Sequence, residues 1–409
     1  VLGDLGAQTG ATHLGIARVK GFAKRFGPEV MADAFEGTLA ASEKRVKMHI
    51  ARWPGKAAEA EAFLDPTPNH PHPVRIHLQV VRDGGHLTFD FSKSDPQVRS
   101  PVNISIPAVL RLSCISLLGM TDPSIPENEG IARAVTLITK KGTVVSSTSP
   151  APVGNTTVAM ARIIDVALNA LAGLKREPTI AERGGYGSIA LAWRGGLVSG
   201  RSYIQYEIQH SAGTGATAWC DGVSVVNPHS YIQVGSSIDK RSLPDTPVEV
   251  VEAQFPVLVK RFEVIPDSGG PGFFRGGVSR RRVYQAQAPA EANVRHAMGF
   301  TIPANGVAGG RGGRRGMIVV TPNASASSEI EEWRFDLSPG DSVSYEGGGG
   351  GGFGDPLTRD PEKVLRDVRE GLVSSEGASQ DYGVVISVAN GVMGVDKAGT
   401  EQLRASRGH

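Results

Sequence analysis

Apolar residues recur with a period near 3.6 along residues 12 to about 51, at Val30, Ala34, Leu39 and Val46, with Met31 and Phe35 beside them. That spacing predicts amphipathic helix. Gly27-Pro28 interrupts the run, so two helices are expected, with Pro28 near the start of the second. Residues 53–73 are rich in Pro and Ala and contain Pro66-Thr67-Pro68-Asn69-His70-Pro71-His72-Pro73, which predicts a loop. Residues 74–80 and 86–91 alternate apolar and polar around Arg82-Asp83-Gly84-Gly85, the pattern of a hairpin. A buried helix is expected over 101–120, then strands at 135–138 and 144–146 around Lys140-Lys141-Gly142. A second strong helix is expected from Asn155 to about Leu174. There Met160, Ile163, Ile164, Ala167, Leu168 and Leu171 line one face, and Asn155 or Thr156 can cap the start.

From Gly184 to about Tyr345 the pattern changes to short β-type runs separated by Gly and Pro, at 202–208, 248–251, 258–264 and 317–320. After Gly347–Gly352 a closing helix is expected, with Asp360 as N-cap, Pro361 at N1, and Val364, Leu365, Val368 and Leu372 as its apolar face. The fold class is therefore α+β, a β-rich glycine-punctuated body with helices in the first half and at the end. The chain divides into a mixed helical and hairpin region (1–183), a β-rich region (184–346) and a glycine loop with a helical ending (347–409).

Composition sharpens this picture. The chain holds 52 glycines in 409 residues, against a usual ~7%. The balance of 43 basic and 41 acidic residues argues against a polyanion-binding surface. No window reaches 18 unbroken apolar residues, so no transmembrane helix is expected. Two cysteines, Cys114 and Cys220, exclude a disulfide-rich scaffold and suit a reducing, cytoplasmic compartment. The chain opens at Val1 without a basic or apolar leader, so no secretory signal is expected. That opening also suggests an upstream segment that has been cut or is missing.

The local motifs do not define a catalytic centre. Gly347–Gly352 lacks the Lys-Ser/Thr of a phosphate loop. A segment needing several positive φ values or close backbone approach is the simpler reading. Gly309–Gly316 resembles an arginine–glycine tract, yet one short copy between strands reads as a turn with surface arginines. Arg275 and Arg280-Arg281-Arg282 are expected on a solvated face. His70 and His72 sit two apart in a Pro-rich loop, a poor frame for a tetrahedral metal site. His210, with Glu207 before it and Asp221 after it, could line a polar site. The thiols read as buried and inert. No Gly-x-Ser-x-Gly elbow is present.

Several ordered motifs nonetheless share one origin. These are Gly3-Asp4-Leu5 with Ala7-Gln8, Asp90-Phe91-Ser92-Lys93-Ser94-Asp95-Pro96-Gln97-Val98-Arg99 with Asn103, and Asp122-Pro123-Ser124-Ile125-Pro126-Glu127-Asn128. They continue with Thr246–Val250, Pro266-Asp267-Ser268-Gly269-Gly270 to Arg275-Gly276-Gly277, Gly347–Pro356, and Asp381-Tyr382-Gly383-Val384-Val385. In these the chain resembles the hydantoinase B/oxoprolinase family over nearly its whole length. The resemblance implies a B-type subunit of an ATP-dependent enzyme that opens hydantoin, 5-oxoproline or lactam rings. Ketone carboxylases acting on acetone or acetophenone are relatives, and they leave an alternative open, as does a non-catalytic scaffold.

It further implies a hetero-oligomer with a hydantoinase A-type subunit that binds ATP and Mg and phosphorylates the substrate carbonyl oxygen. The glycine motifs would then be structural. Family members carry, upstream of the Gly-Asp-Leu motif, a segment with an Asp/His constellation for Zn or Mn. His13 echoes it only superficially, with no Asp three residues on. The resemblance thus implies either a separate or cleaved upstream chain, or a molecule that does not hold the full active site. No metal ligand or cofactor-binding residue is expected in this chain, nor a nucleic-acid or membrane partner. The isolated chain is expected to be inactive on its own. Arg99, Asn103, His210 and Asp221 are the polar candidates for positioning a small-molecule intermediate.

Overall fold

In the computed structural model, residues 2–408 are described except 123, 186, 194–202, 208–211, 226–232, 235–236, 239–245, 297, 324 and 332. The first region opens with α1 (Leu2–Phe26) and α2 (Pro28–Ile50), which meet at Gly27, where φ is +87°. The predicted break is therefore in place, but the first helix begins ten residues before the periodic stretch. Val30 and Phe35 stand about half exposed, whereas Val46 and Ile50 are buried. Only the C-terminal part of α2 reaches the core.

Next come β1 (Ala57–Leu64), β2 (Val74–Asp83), β3 (His86–Asp90), α3 (Ile106–Met120), β4 (Val135–Ile138) and α4 (Thr156–Lys175). The four strands form one sheet in the order β1-β2-β3-β4, antiparallel except for the parallel β3/β4 pair. The predicted hairpin is β2–β3. β1 corrects the expected loop: Ala57-Ala58-Glu59-Ala60-Glu61-Ala62 favours helix by composition, yet it pairs residue for residue with β2. Tertiary pairing overrides a weak local preference. The 144–146 strand is absent, leaving a single bridge between Thr143 and Ser146 with Val144 and Val145 buried. Asn155 occupies the N-cap position of α4 without making a side-chain cap bond. α4 is long and apolar enough to cross a membrane, but it lies mostly buried against the sheet. It is the central helix of this region's core.

The second region holds β5 (Gly187–Trp193), β6 (Tyr203–Glu207), β7 (Gln233–Val234), β8 (Ser237–Ile238), α5 (Val248–Gln254), β9 (Val257–Val264), β10 (Arg280–Ala286) and β11 (Ala290–His296). It ends with β12 (Met317–Thr321), β13 (Ser328–Glu329), β14 (Arg334–Leu337) and β15 (Ser342–Glu346). A five-stranded sheet (β13-β12-β15-β10-β9) and a four-stranded sheet (β14-β11-β5-β6) enclose a core that includes Ile189, Leu191, Trp193, Val294, Tyr284, Ile318 and Tyr345. β7 and β8 pair antiparallel. The expected strand at 248–251 is α5 instead. It follows Pro247, buries Val251, and its Glu252 accepts a 2.8 Å bond from the Val259 amide.

The ending is more elaborate than one helix. α6 (Pro361–Arg369) starts as expected, with the Asp360 carboxylate accepting from the Glu362 amide. Gly371, at φ +71°, follows it, so Leu372 lies outside the helix. α7 (Ser375–Tyr382), β16 (Ile386–Ala389), β17 (Val392–Val395) and α8 (Lys397–Ala405) complete a third core around Val364, Val368, Tyr382 and Val384.

Glycine explains how the regions are tied together. The amides of Gly347, Gly350 and Phe353 bond to the carbonyls of Arg280, Gly277 and Phe274; those of Gly348 and Gly351 bond to Gly185 and Glu182; those of Gly349 and Gly352 bond to Arg314 and Arg311. Each step of three along the run meets a step of three back along a neighbour. A period of three is that of a polyproline-II-type helix, whose amides point outward to other strands. None of residues 347–352 has positive φ. Of the two sequence-level explanations, close backbone approach is therefore the one that holds. A Cβ on Gly349, Gly350 or Gly351 would overlap the backbone of Ser268, Thr214 or Asn305. The arginine–glycine tract opens in the expected turn, the Gly310 amide donating to the Val307 carbonyl at 2.9 Å, and Gly310 and Gly313 then join the same packed lattice.

Candidate functional site

Where the first region meets the β sandwich, the Pro-rich stretch after β1 faces the segment around Phe300 across a cleft of about 470 Å³. Its walls include Pro66, Thr67, Pro68, Phe300, Arg315 and Trp333. A neighbouring cavity of about 580 Å³ shares Pro68 and Trp333 and adds Asn69, Pro101, Pro152 and Asn293. Concave, largely apolar spaces at domain seams with a few polar groups are the usual form of small-molecule sites.

Both walls hang on Asp65, which sequence reasoning did not single out. It is 1% exposed and sits between Leu64, the last residue of β1, and Pro66. Its Oδ2 accepts from the amides of Phe300 (2.6 Å) and Thr301 (3.0 Å), and its Oδ1 from Ile302 (3.0 Å). One carboxylate thus fixes the opposite wall through three successive backbone donors. Asp65→Asn retains one acceptor oxygen but turns an amide donor toward these N–H groups. A loss of about 2 kcal/mol is expected, the scale of a charged buried hydrogen bond. Urea denaturation together with faster amide exchange at residues 300–302 would check it, and an unchanged midpoint would contradict it.

Asn103 supports the same wall. It is fully buried; its Nδ2 donates to the carbonyls of Val98 (2.8 Å), Ser100 (2.9 Å) and Pro152 (2.9 Å), and its Oδ1 accepts from the Val98 amide. Thr67 Oγ1 and Ser100 Oγ share a hydrogen bond beneath it. Asn103 therefore shapes the cleft without facing it. Arg99 is exposed on the preceding turn and is not among the cleft residues. At the cleft, Arg315 and Glu329 pair side to side, with Nη2–Oε2 at 2.7 Å. The Arg315 hydrogen bond holds the Glu329 carboxyl below its ordinary range.

Asp221 lies elsewhere, in a buried ionic knot. Arg359, 0% exposed, donates to both Asp221 oxygens at 2.7 and 2.8 Å and to Asp367 at 2.8 Å. The Arg275 amide also donates to Asp221. Burial alone would raise the Asp221 carboxyl, but the Arg359 hydrogen bonds and charge, with Arg275, outweigh it and hold the group below its usual value. Burial dominates at Asp367 and pushes that carboxyl up. Asp221, whose side chain is about a quarter exposed, thus ties the glycine lattice to the C-terminal region. His210 falls outside the described residues.

The arginines also depart from expectation. Arg275, Arg280 and Arg282 are buried, at 4%, 6% and 2% exposure. Strand alternation places 280 and 282 on the inner face of β10, where both guanidinium groups lie over the Phe262 ring, at 4.7 and 4.3 Å. Arg311 and Arg314 of the glycine tract pair with Asp381 and Glu346. His70 and His72 stand edge to face with centroids 6.1 Å apart. Both thiols are part-buried, and burial pushes the Cys114 thiol up to about 12. Among the described residues no three His, Cys, Asp or Glu side chains gather as a ligand set. The cleft has the form to take up a small molecule; among the described residues its walls hold no nucleophile–base pair.

This architecture is a known one. The chain belongs to the hydantoinase B/oxoprolinase family, whose description it matches over residues 1–356. It is 29% identical over 416 residues to the beta chain of the caprolactamase of Pseudomonas jessenii, covering 99% of this chain and 69% of that one. It is 27% identical over 420 residues to the B-type component of a putative D-/L-hydantoinase of Pseudomonas sp. (strain NS671), covering 99% and 68%. The crystal structure of the ATP-dependent caprolactamase from Pseudomonas jessenii superposes with a TM-score of 0.81 at 25% identity, covering 98% of this chain and 69% of that one. A nucleotide-free acetone carboxylase structure shares the fold, with a TM-score of 0.77 at 19% identity over 95% of this chain and 57% of that one.

Proposed function

We propose that the chain is the body of a B-type subunit in an ATP-dependent enzyme that opens a cyclic amide: a hydantoin, 5-oxoproline or a lactam. The observation that carries this reading is the likeness to the caprolactamase, which in sequence and in fold extends over nearly all of this chain. In this reading ATP and Mg are held by an A-type partner that activates the ring carbonyl, and Zn or Mn is held by a segment outside this chain. In the same reading this chain's contribution is the shape of the seam cleft.

The Pro, Phe and Trp walls of the seam cleft take up a small ring and exclude water. Thr67, Thr301 and the Arg315–Glu329 pair offer polar contacts at its margins. Asp65 and Asn103 keep the walls in register. A carboxylase of the acetone type is the second reading, favoured by the shared fold alone.

The test is native mass spectrometry of the complex from its source, followed by assay of that complex. Co-migration with a larger A-type subunit and ATP-dependent opening of hydantoin, 5-oxoproline or caprolactam supports the proposal. Turnover that requires bicarbonate and a ketone selects the carboxylase. A complex equally active without this chain points to a scaffold and overturns both.

A further inference from the structure

The five-stranded sheet ends in β9, and the last five residues of that strand, Lys260 to Val264, are exposed on both faces. Phe262 is 46% and Val264 39% exposed, although both lie on the face that β10 turns inward. The interior surface of the sheet therefore runs past its cover. Among the described residues the backbone is open there as well. Ile265 donates to the Ser279 carbonyl at 2.9 Å, so by antiparallel alternation Glu263 and Arg261 face β10 while the amides and carbonyls of Phe262 and Val264 point away from it. On the other side of the β-bulge at Lys260, α5 covers the edge, with Glu252 taking the Val259 amide. What remains is a short edge of alternating charged and apolar residues that no strand pairs with among the described residues, a surface that can recruit another strand.

The side chains along it are self-complementary. Two copies of β9 related by a two-fold axis at Phe262 would place Phe262 opposite Phe262, Arg261 opposite Glu263 twice, and Lys260 opposite Val264 twice. Phe262 is an outward-pointing residue, so the central pair would exchange both of its backbone hydrogen bonds. Opposite charges and paired aromatics directly across strands stabilise such a ladder, whereas a one-residue slip removes both.

We propose that the Lys260–Val264 edge of β9 is an interface with a second copy of this chain, paired antiparallel about Phe262. The two five-stranded sheets join there into one ten-stranded sheet, and the exposed Phe262 and Val264 are buried. This interface does not depend on the functional reading above.

The test uses the full chain. Sedimentation at micromolar concentration gives twice the chain mass. Phe262→Glu sets two carboxylates against each other across the axis while leaving each beside Arg280 and Arg282 of its own copy, and weakens the dimer at least tenfold. Val264→Pro removes an outward donor where an edge strand tolerates proline, and does the same. Register is read by mild oxidation. Phe262→Cys cross-links to itself, because the paired Cα atoms lie about 5.5 Å apart, within disulfide range. Arg261→Cys alone does not cross-link, but does so when mixed with Glu263→Cys.

A single-chain mass with no cross-link at residue 262 overturns the proposal. So does a dimer indifferent to both Phe262→Glu and Val264→Pro. Protection of this edge seen only when a different protein is bound overturns it too, and gives the edge to that protein.

Discussion

Replacing Gly350 with alanine is expected to leave no folded chain. The new Cβ would overlap backbone atoms of Thr214 and Gly215, which cannot rotate aside as a side chain would. The Gly350 amide bonds to Gly277 and its carbonyl accepts from Gly270, so a shift that relieved the overlap would break the lattice on two other sides. Ordinary overpacking costs about 1–3 kcal/mol, and this site has no soft neighbour, so a loss of about 4 kcal/mol or more is expected. Gly394→Ala is the control: nothing lies within 4 Å of its Cβ position and its φ is not positive. Soluble yield and thermal denaturation of the two variants measure the difference. A Gly350→Ala chain as stable as the control would mean that the three-neighbour packing is looser than described.

The second large effect is expected at Arg359. Its guanidinium serves Asp221, Asp367 and the Phe273 carbonyl at once, at full burial. Arg359→Ala leaves the buried Asp367 and the partly exposed Asp221 carboxylate with Arg275 as the nearby cation, and a loss of about 3 kcal/mol is expected. The pH dependence follows from the shifts. Asp221 is held below its unfolded value, so its contribution is present above that value and lost as pH falls through the folded one. Asp367, held above its ordinary value, acts in the opposite direction: its ionised form costs stability near neutrality, and acid relieves that cost.

Without Arg359 both carboxyls protonate more readily, so the variant's deficit is largest near neutral pH and shrinks on acidification. Asp221→Asn in the Arg359→Ala background should recover part of the loss. Urea midpoints at neutral and mildly acid pH, for single and double variants, test this. A deficit that grows toward acid pH would contradict the ion-pair account.

Local periodicity makes the helices, the β2–β3 hairpin and most of the sandwich strands readable, because an amphipathic face repeats within one element. β1 is not readable, since its Ala and Glu residues become a strand only through β2. Val248–Val251 misleads in the opposite sense: β-branched residues after a proline form a helix that covers the β9 edge. Glycine content announces a special backbone, but an uninterrupted run hides its own period of three; only neighbours distant in sequence reveal it. Arg280 and Arg282 read as solvated because their partner, Phe262, lies about twenty positions upstream. Of the candidate residues, Asn103 is a buried support behind the cleft, Asp221 is paired with Arg359 away from it, Arg99 is surface, and His210 lies outside the described residues. Asp65 carries no local signal beyond preceding a proline. Its role exists only where β1 meets the segment after β11.

In the proposed function this chain supplies shape to ATP-driven ring opening whose nucleotide chemistry resides on a partner. The most direct test is phosphate release from ATP, followed with hydantoin, 5-oxoproline and caprolactam in turn. The chain alone should release none, and the assembled complex should release phosphate in step with opening of one of these rings. Robust ATP turnover by the isolated chain, or turnover by the complex that ignores every ring, would contradict the account.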